Sequence, residues 1–156
     1  MKPAPIIGNA RVLEYAVVGD AVFTRTLCLY VGGVRLGAVP CLAICESFRG
    51  DEMFLFHCDE DWTLRGIQAW KKSEVRGLGA VEEIKRRVEK YYSGISRKWI
   101  KHEASVEDAE AYKATIDVCC SFCSRSVFAV DSLVEGHGDA RICDLCVMSF
   151  YDELCK

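Results

Sequence analysis

The chain has 156 residues, with hydrophobic residues at 51%, charged residues at 28% and a net charge of −3. Such a chain suits one ordinary domain, or one domain with a smaller appendage, and its apolar content excludes intrinsic disorder. Arg, Gly or Glu interrupts every apolar stretch before the ~18 residues that a membrane span requires, so no membrane segment is expected.

Met1-Lys2-Pro3-Ala4-Pro5 leads into no apolar signal-peptide core, and a cytoplasmic location is the resulting expectation. The segments 12–18, 22–31, 34–44 and 53–58 are rich in Val, Leu, Phe and Tyr. Gly19-Asp20, Gly32-Gly33 and Arg49-Gly50-Asp51 punctuate them, so they read as the strands of an antiparallel meander. Gly32-Gly33 is the best two-residue hairpin candidate, since primed turns need positive φ. In this part of the chain Cys28, Cys41, Cys45 and Cys58 sit among apolar residues and are expected to be small buried hydrophobes.

His57 and Cys58 are adjacent in one predicted strand and therefore point to opposite faces, which argues against a thiol–imidazole pair. Asp59, Glu60 and Asp61 read as a solvated turn rather than a metal cradle. No Gly-rich phosphate loop, serine nucleophile motif or paired general acid and base stands out, so no catalytic residue is assigned and no enzyme is expected.

At residue 81 the period changes. Val81, Ile84, Val88 and Tyr91 recur at helical spacing with Glu82, Glu83, Lys85, Arg86, Arg87 and Lys90 between them, and Gly94 is the stop signal. This helix is expected to pack its apolar stripe on the sheet, giving an α+β domain over 1–103. Arg97, Lys98, Lys101 and His102 flank Trp99, but with Glu82, Glu83 and Glu89 nearby they read as a solvated face rather than a nucleic-acid site. A second helix is expected from 106 to about 113, capped by Ser105 and Asp108, inside a helical connector over 104–116.

The last segment, 117–156, carries six of the ten cysteines. Cys120-Ser-Phe-Cys123 and Cys143-Asp-Leu-Cys146 form two C-x₂-C pairs with 19 residues between them, a zinc-site spacing. Two intervening residues let both sulfurs of a pair reach one ion at about 2.3 Å, and four thiolates complete a closed tetrahedron. The expected cofactor is one structural Zn²⁺ on Cys120, Cys123, Cys143 and Cys146. Redox dithiols or an iron site are the alternatives for the same residues. Cys119 could stand in for Cys120, and His137 between two glycines could serve as a ligand. Cys155 lies outside the pattern as a packing or surface thiol. From residue 117 onward seven acids face three bases, and four thiolates on Zn²⁺ add about −2 more. Nucleic-acid affinity needs Lys and Arg, so this segment is a poor phosphate binder.

The residues around the cysteines carry more than spacing. Cys120-Ser-Phe-Cys123, Leu133-Val-Glu-Gly136 and Ile142-Cys-Asp-Leu-Cys-Val147 resemble the N-terminal zinc-binding domain of the ClpX unfoldase, whose pattern runs C-S-F-C, L-I-x-G, I-C-D-x-C-V. The resemblance implies a treble-clef-like module: a zinc knuckle, a short hairpin, and a helix from the second cysteine pair through Phe150 and Leu154. It further implies homodimerisation and recognition of a protein or peptide through an apolar surface, with Phe122, Val127, Phe128, Leu133, Val147 and Phe150 as the core or surface candidates. The ATPase of that family has a G-x₄-G-K-[ST] loop, which this sequence lacks, so ATP hydrolysis does not carry over. The strings 42–46, 55–62, 81–89 and 92–99 also resemble small bacterial immunity proteins of toxin systems. The expectation is thus a non-catalytic zinc protein of dimerisation and partner binding. The alternative is an immunity protein, and an enzyme or nucleic-acid binder comes third.

Overall fold

The computed structural model describes residues 1–74, 79–116, 118–138 and 140–156, with the Phe128 side chain outside that description. The chain divides into two compact units, Met1–Ala109 and Glu110–Lys156.

In the first unit the strands in chain order are β1 (Ile6–Ile7), β2 (Ala10–Val17), β3 (Val22–Phe23), β4 (Tyr30–Val31), β5 (Val34–Arg35), β6 (Cys41–Ser47), β7 (Glu52–Cys58) and β8 (Leu64–Lys71). Helix α1 (Ala80–Tyr91) follows, then β9 (Tyr92–Ser93) and β10 (Ile100–Lys101), and helix α2 (Val106–Ile116) spans the division between the units. The main sheet is antiparallel in the order β1-β2-β6-β7-β8, and β10 also pairs with β2.

Both faces of the central strands β6 and β7 are buried, which explains why these strands read as continuous apolar runs rather than alternations. On one face Leu42, Ile44, Met53 and Leu55 meet Ile84 and Val88 of α1. On the other, Val12, Ala43, Cys45, Phe56, Cys58 and Trp62 form a second cluster, where the curled sheet folds over itself. A register shift between Val12 and Glu14 lets β2 serve both clusters. Val12 belongs to the second cluster and Ala16 to the first, while Glu14 forms an ion pair with Lys85 of α1 at 2.5 Å.

The structure corrects the expected strands in three places. The segment 22–31 forms only β3 and β4, and 34–44 yields β5 and the first part of β6. The two-glycine turn is present, with φ of 58° and 80° at Gly32 and Gly33 and Val31 paired to Val34. The hairpin it closes forms its own two-stranded sheet. Strand β8 is absent from the expected meander because its inward set is Leu64, Gly66, Gln68 and Trp70, while Ile67 lies outward and exposed. Gly66 is needed there: a Cβ would stand 2.8 Å from Leu36 Cδ2 and 3.0 Å from Leu29 Cδ2.

The helix of the first unit is the one expected, but it ends at Tyr91 rather than reaching Gly94. Tyr92 turns extended, pairs with Phe23 and buries its ring completely. The start of α2 carries the expected capping box. The Asp108 N–H donates to Ser105 Oγ at 3.1 Å, and the Ser105 N–H donates to Asp108 Oδ2 at 2.9 Å.

Cys41, Cys45 and Cys58 are buried as small hydrophobes, whereas Cys28 is exposed. It lies just before the two-stranded hairpin, with the Arg35 guanidinium 3.8 Å from its sulfur. His57 and Cys58 are both fully buried; Cys58 joins the Phe56 cluster and His57 bonds Gln68 at 3.1 Å. Burial pushes the Cys45 and Cys58 thiols up, the latter to about 12, so they are inert packing groups. Asp59 and Asp61 form the expected turn, pairing with Arg65 and accepting the Thr63 N–H. His102 leaves the expected basic face. It is buried, accepts the Ala104 N–H at Nδ1 and donates from Nε2 to Pro3 O, which identifies the neutral Nε2–H tautomer. Lys98 is paired with Asp20 at 2.5 Å.

Candidate metal centre

In the second unit the sequence builds a knuckle, a hairpin and a helix around four sulfurs. The knuckle at Cys120–Cys123 closes through the Ser124 N–H donating to Cys120 O at 3.0 Å and the Cys120 N–H donating to Arg125 O at 2.8 Å. Ser124 takes a left-handed φ of 61° to make this turn. The hairpin is β11 (Leu133–Glu135) against β12 (Arg141–Cys143), with Leu133 opposite Cys143. Helix α3 (Asp144–Leu154) starts immediately after Cys143, so Cys146 lies in its first turn. The second cysteine pair therefore belongs half to a strand end and half to a helix.

Two polar residues inside the motif lock these pieces together. Ser121 pairs with Arg141 of β12 twice: its N–H donates to Arg141 O at 2.8 Å, and its Oγ accepts the Arg141 N–H at 2.9 Å. Asp144 Oδ1 accepts the N–H groups of Asp131 and Ser132 at 3.1 Å each. Both residues lie between the paired cysteines, where spacing alone assigns them no role.

The four sulfurs of Cys120, Cys123, Cys143 and Cys146 all lie within 4.8 Å of one another. Cys120 and Cys146 sulfurs are 3.8 Å apart, and those of Cys123 and Cys143 are 3.6 Å apart. A tetrahedron with Zn–S bonds of 2.3 Å has edges of about 3.8 Å, so these two pairs stand at tetrahedral-edge distance and the donor set suits one Zn²⁺. Cys120, Cys143 and Cys146 are buried and Cys123 half-buried. The N–H groups of Phe122 and Cys143 each lie 3.4 Å from Cys120 Sγ, aimed at a thiolate. Burial works against ionisation of Cys120, but backbone N–H groups of Cys123, Phe122 and Cys143 outweigh it and bring the thiol down to about 6. Burial pushes Cys146 up to about 12. A cation at the centre favours all four thiolates at once.

The other residues considered as ligands fall outside the cluster. Cys119 is exposed and paired through its backbone with Ser126. His137 and Cys155 are exposed. Of the surface candidates, Phe122, Val147 and Phe150 are exposed, while Val127 and Leu133 are half-buried, Leu133 against the cysteines. The side chain of Phe128, the remaining candidate, lies outside the described residues. Phe122 and Phe150 pack edge to face, with ring centroids 5.2 Å apart. Leu145, Met148, Tyr151 and Leu154 of α3 are exposed too, and none of them is among the candidates that the sequence supplies. Their signal is nonetheless present there: apolar residues surround α3 rather than lining one stripe.

No helix among the described residues is long and apolar enough to cross a membrane. No curated protein and no solved structure matches the chain, and the immunity-protein resemblance of the first unit gains no support from the comparisons. Residues 118–154, the segment that folds around the four sulfurs, match the ClpX C4-type zinc finger family.

Proposed function

We propose that this is a non-catalytic interaction protein whose zinc finger presents an apolar face to a protein or peptide, a second copy of the finger among them. The observation that carries this reading is the exposed Phe122–Phe150 pair, with Val147, Met148, Tyr151 and Leu154 on the same short helix. So many exposed aromatic and aliphatic side chains on so small a unit mark an interaction site. Four thiolates close the zinc shell and leave no open position for substrate, so the ion serves the fold.

Light scattering on the zinc-loaded chain tests the self-association. The expected result is a dimer that becomes monomeric with Phe150→Glu while zinc content is unchanged. A zinc-loaded monomer that captures no protein dependent on Phe150 would remove this reading.

A further inference from the structure

The first unit contains a groove of its own. One cleft of ≈ 600 Å³ is lined by Val18, Gly19, Val39, Cys41, Tyr92 and Glu60, among others. A second of ≈ 420 Å³ is lined by Arg25, Arg35, Leu36 and Gly37, and the two share Phe23 and Ala38. Joined there, they form a mainly apolar trough with Arg25 and Arg35 lining one cleft, and Met1 and Glu60 lining the other. The volumes lie in the range of small-molecule sites.

Three features show a built site. Tyr92 is fully buried, and its oxygen accepts the Val39 N–H at 3.0 Å. Arg35 is fixed by donating from Nε to Leu27 O at 3.0 Å and from Nη2 to Arg25 O at 2.8 Å, with Nη1 uncommitted among the described residues. Arg25 is exposed, makes no ion pair among the described residues, and stands at a left-handed φ of 61°. The residues on either side hold it there: Thr24 and Thr26 hydroxyls both donate to Lys90 O at the end of α1, at 2.5 Å and 2.8 Å. A non-glycine residue rarely adopts this conformation, and the threonine contacts offset that strain to present an arginine.

We propose that this trough binds a small amphipathic carboxylate. Its head lies on Arg25 and Arg35, and its apolar tail runs past Phe23 and Val39 toward Tyr92. The guanidinium fork matches a carboxylate in geometry and charge. The two arginines at the second cleft set the direction.

The probe is sodium decanoate, below micelle formation, added to the full zinc-loaded chain, with decyltrimethylammonium as the matched cation. Titration followed by amide NMR should give saturable shifts at Gly19, Gly37 and Val39, with little response to the cation. Arg25→Ala should weaken decanoate binding by about tenfold or more, the scale of a lost charge-assisted hydrogen bond. Ala38→Trp should block the trough while circular dichroism stays unchanged. Equal binding of the cation, unaltered affinity in Arg25→Ala, or shifts confined to the zinc finger's apolar face would overturn the proposal. So would an acidic peptide that shifts these amides where decanoate does not, since the occupant would then be a protein. None of these outcomes depends on the zinc finger's partner.

Discussion

Ser124 is the residue at which the zinc knuckle stores its strain. Its left-handed φ of 61° lets the chain turn back after Cys123, at a cost of about 1–2 kcal/mol for a residue with a Cβ. Ser124→Gly relieves that cost but loosens the unfolded chain. The expected net result is a gain of up to about 1 kcal/mol, read as a higher thermal midpoint of the zinc-loaded finger with unchanged stoichiometry. Asp144 carries the opposite lesson. Its carboxylate holds two backbone N–H groups of the turn before β11 at 3.1 Å, and a hydrogen bond to a charged group contributes about 1.5–3 kcal/mol. Asp144→Ala should therefore lower the finger's stability and weaken zinc retention in a chelator competition, although no metal ligand is lost. The roles of both residues depend on which backbone groups the fold brings opposite them, and their places in the sequence do not state it.

At the level of elements, the helix of the first unit is legible from spacing alone, because Ile84 and Val88 repeat at helical intervals and both are fully buried. Ile84→Ala should destabilise that unit by about 2–5 kcal/mol, measurable as a shift in its denaturant midpoint. Strand β8 is not legible in that way, since its buried set includes Gly66 and Gln68 and its outward set includes Ile67. Alternation signals a strand only when the buried face is apolar, and here Gly66 is chosen for closeness to Leu29 and Leu36 rather than for hydrophobicity. Gly66→Val should cost about 1–3 kcal/mol through overpacking, although it adds the β-branched residue that a strand usually favours. The short strands β3 and β9 are hidden for a related reason: each owes its pairing to the other, far along the chain.

For the whole molecule, the division into two units makes stability separable. Removing zinc should unfold the finger, whose apparent metal-binding energy is on the order of 10–16 kcal/mol, while the first unit keeps its own transition. Loss of the α3 amide signals on chelation, with the β6 and β7 signals retained, would show this; simultaneous loss of both would refute it. The first unit has its own pH dependence through His57. Burial lowers its pKa, and its Nδ1 has no hydrogen-bond partner among the described residues. The unfolded state, with an ordinary histidine near 6.5, then takes up a proton in a range where the folded state does not. Stability is complete above that value and falls as the pH drops below it toward the folded pKa. The slope that sets in below the ordinary histidine value should flatten in His57→Gln, followed on β7 signals so that acid release of zinc is not counted.

Four cysteines in two C-x₂-C pairs, with Ser, Phe, Ile and Asp between and beside them, are enough to read the metal centre, because short-range turns and ligand chemistry decide it locally. The amphipathic helix and the two-glycine hairpin are legible for the same reason. The curl of the sheet, the burial of both its faces, and the exposure of Cys28 and Phe150 are not. Nor is the trough between Arg25 and Tyr92. Those depend on which distant segments cover which side chains, and a residue's own neighbours in the chain carry no record of that.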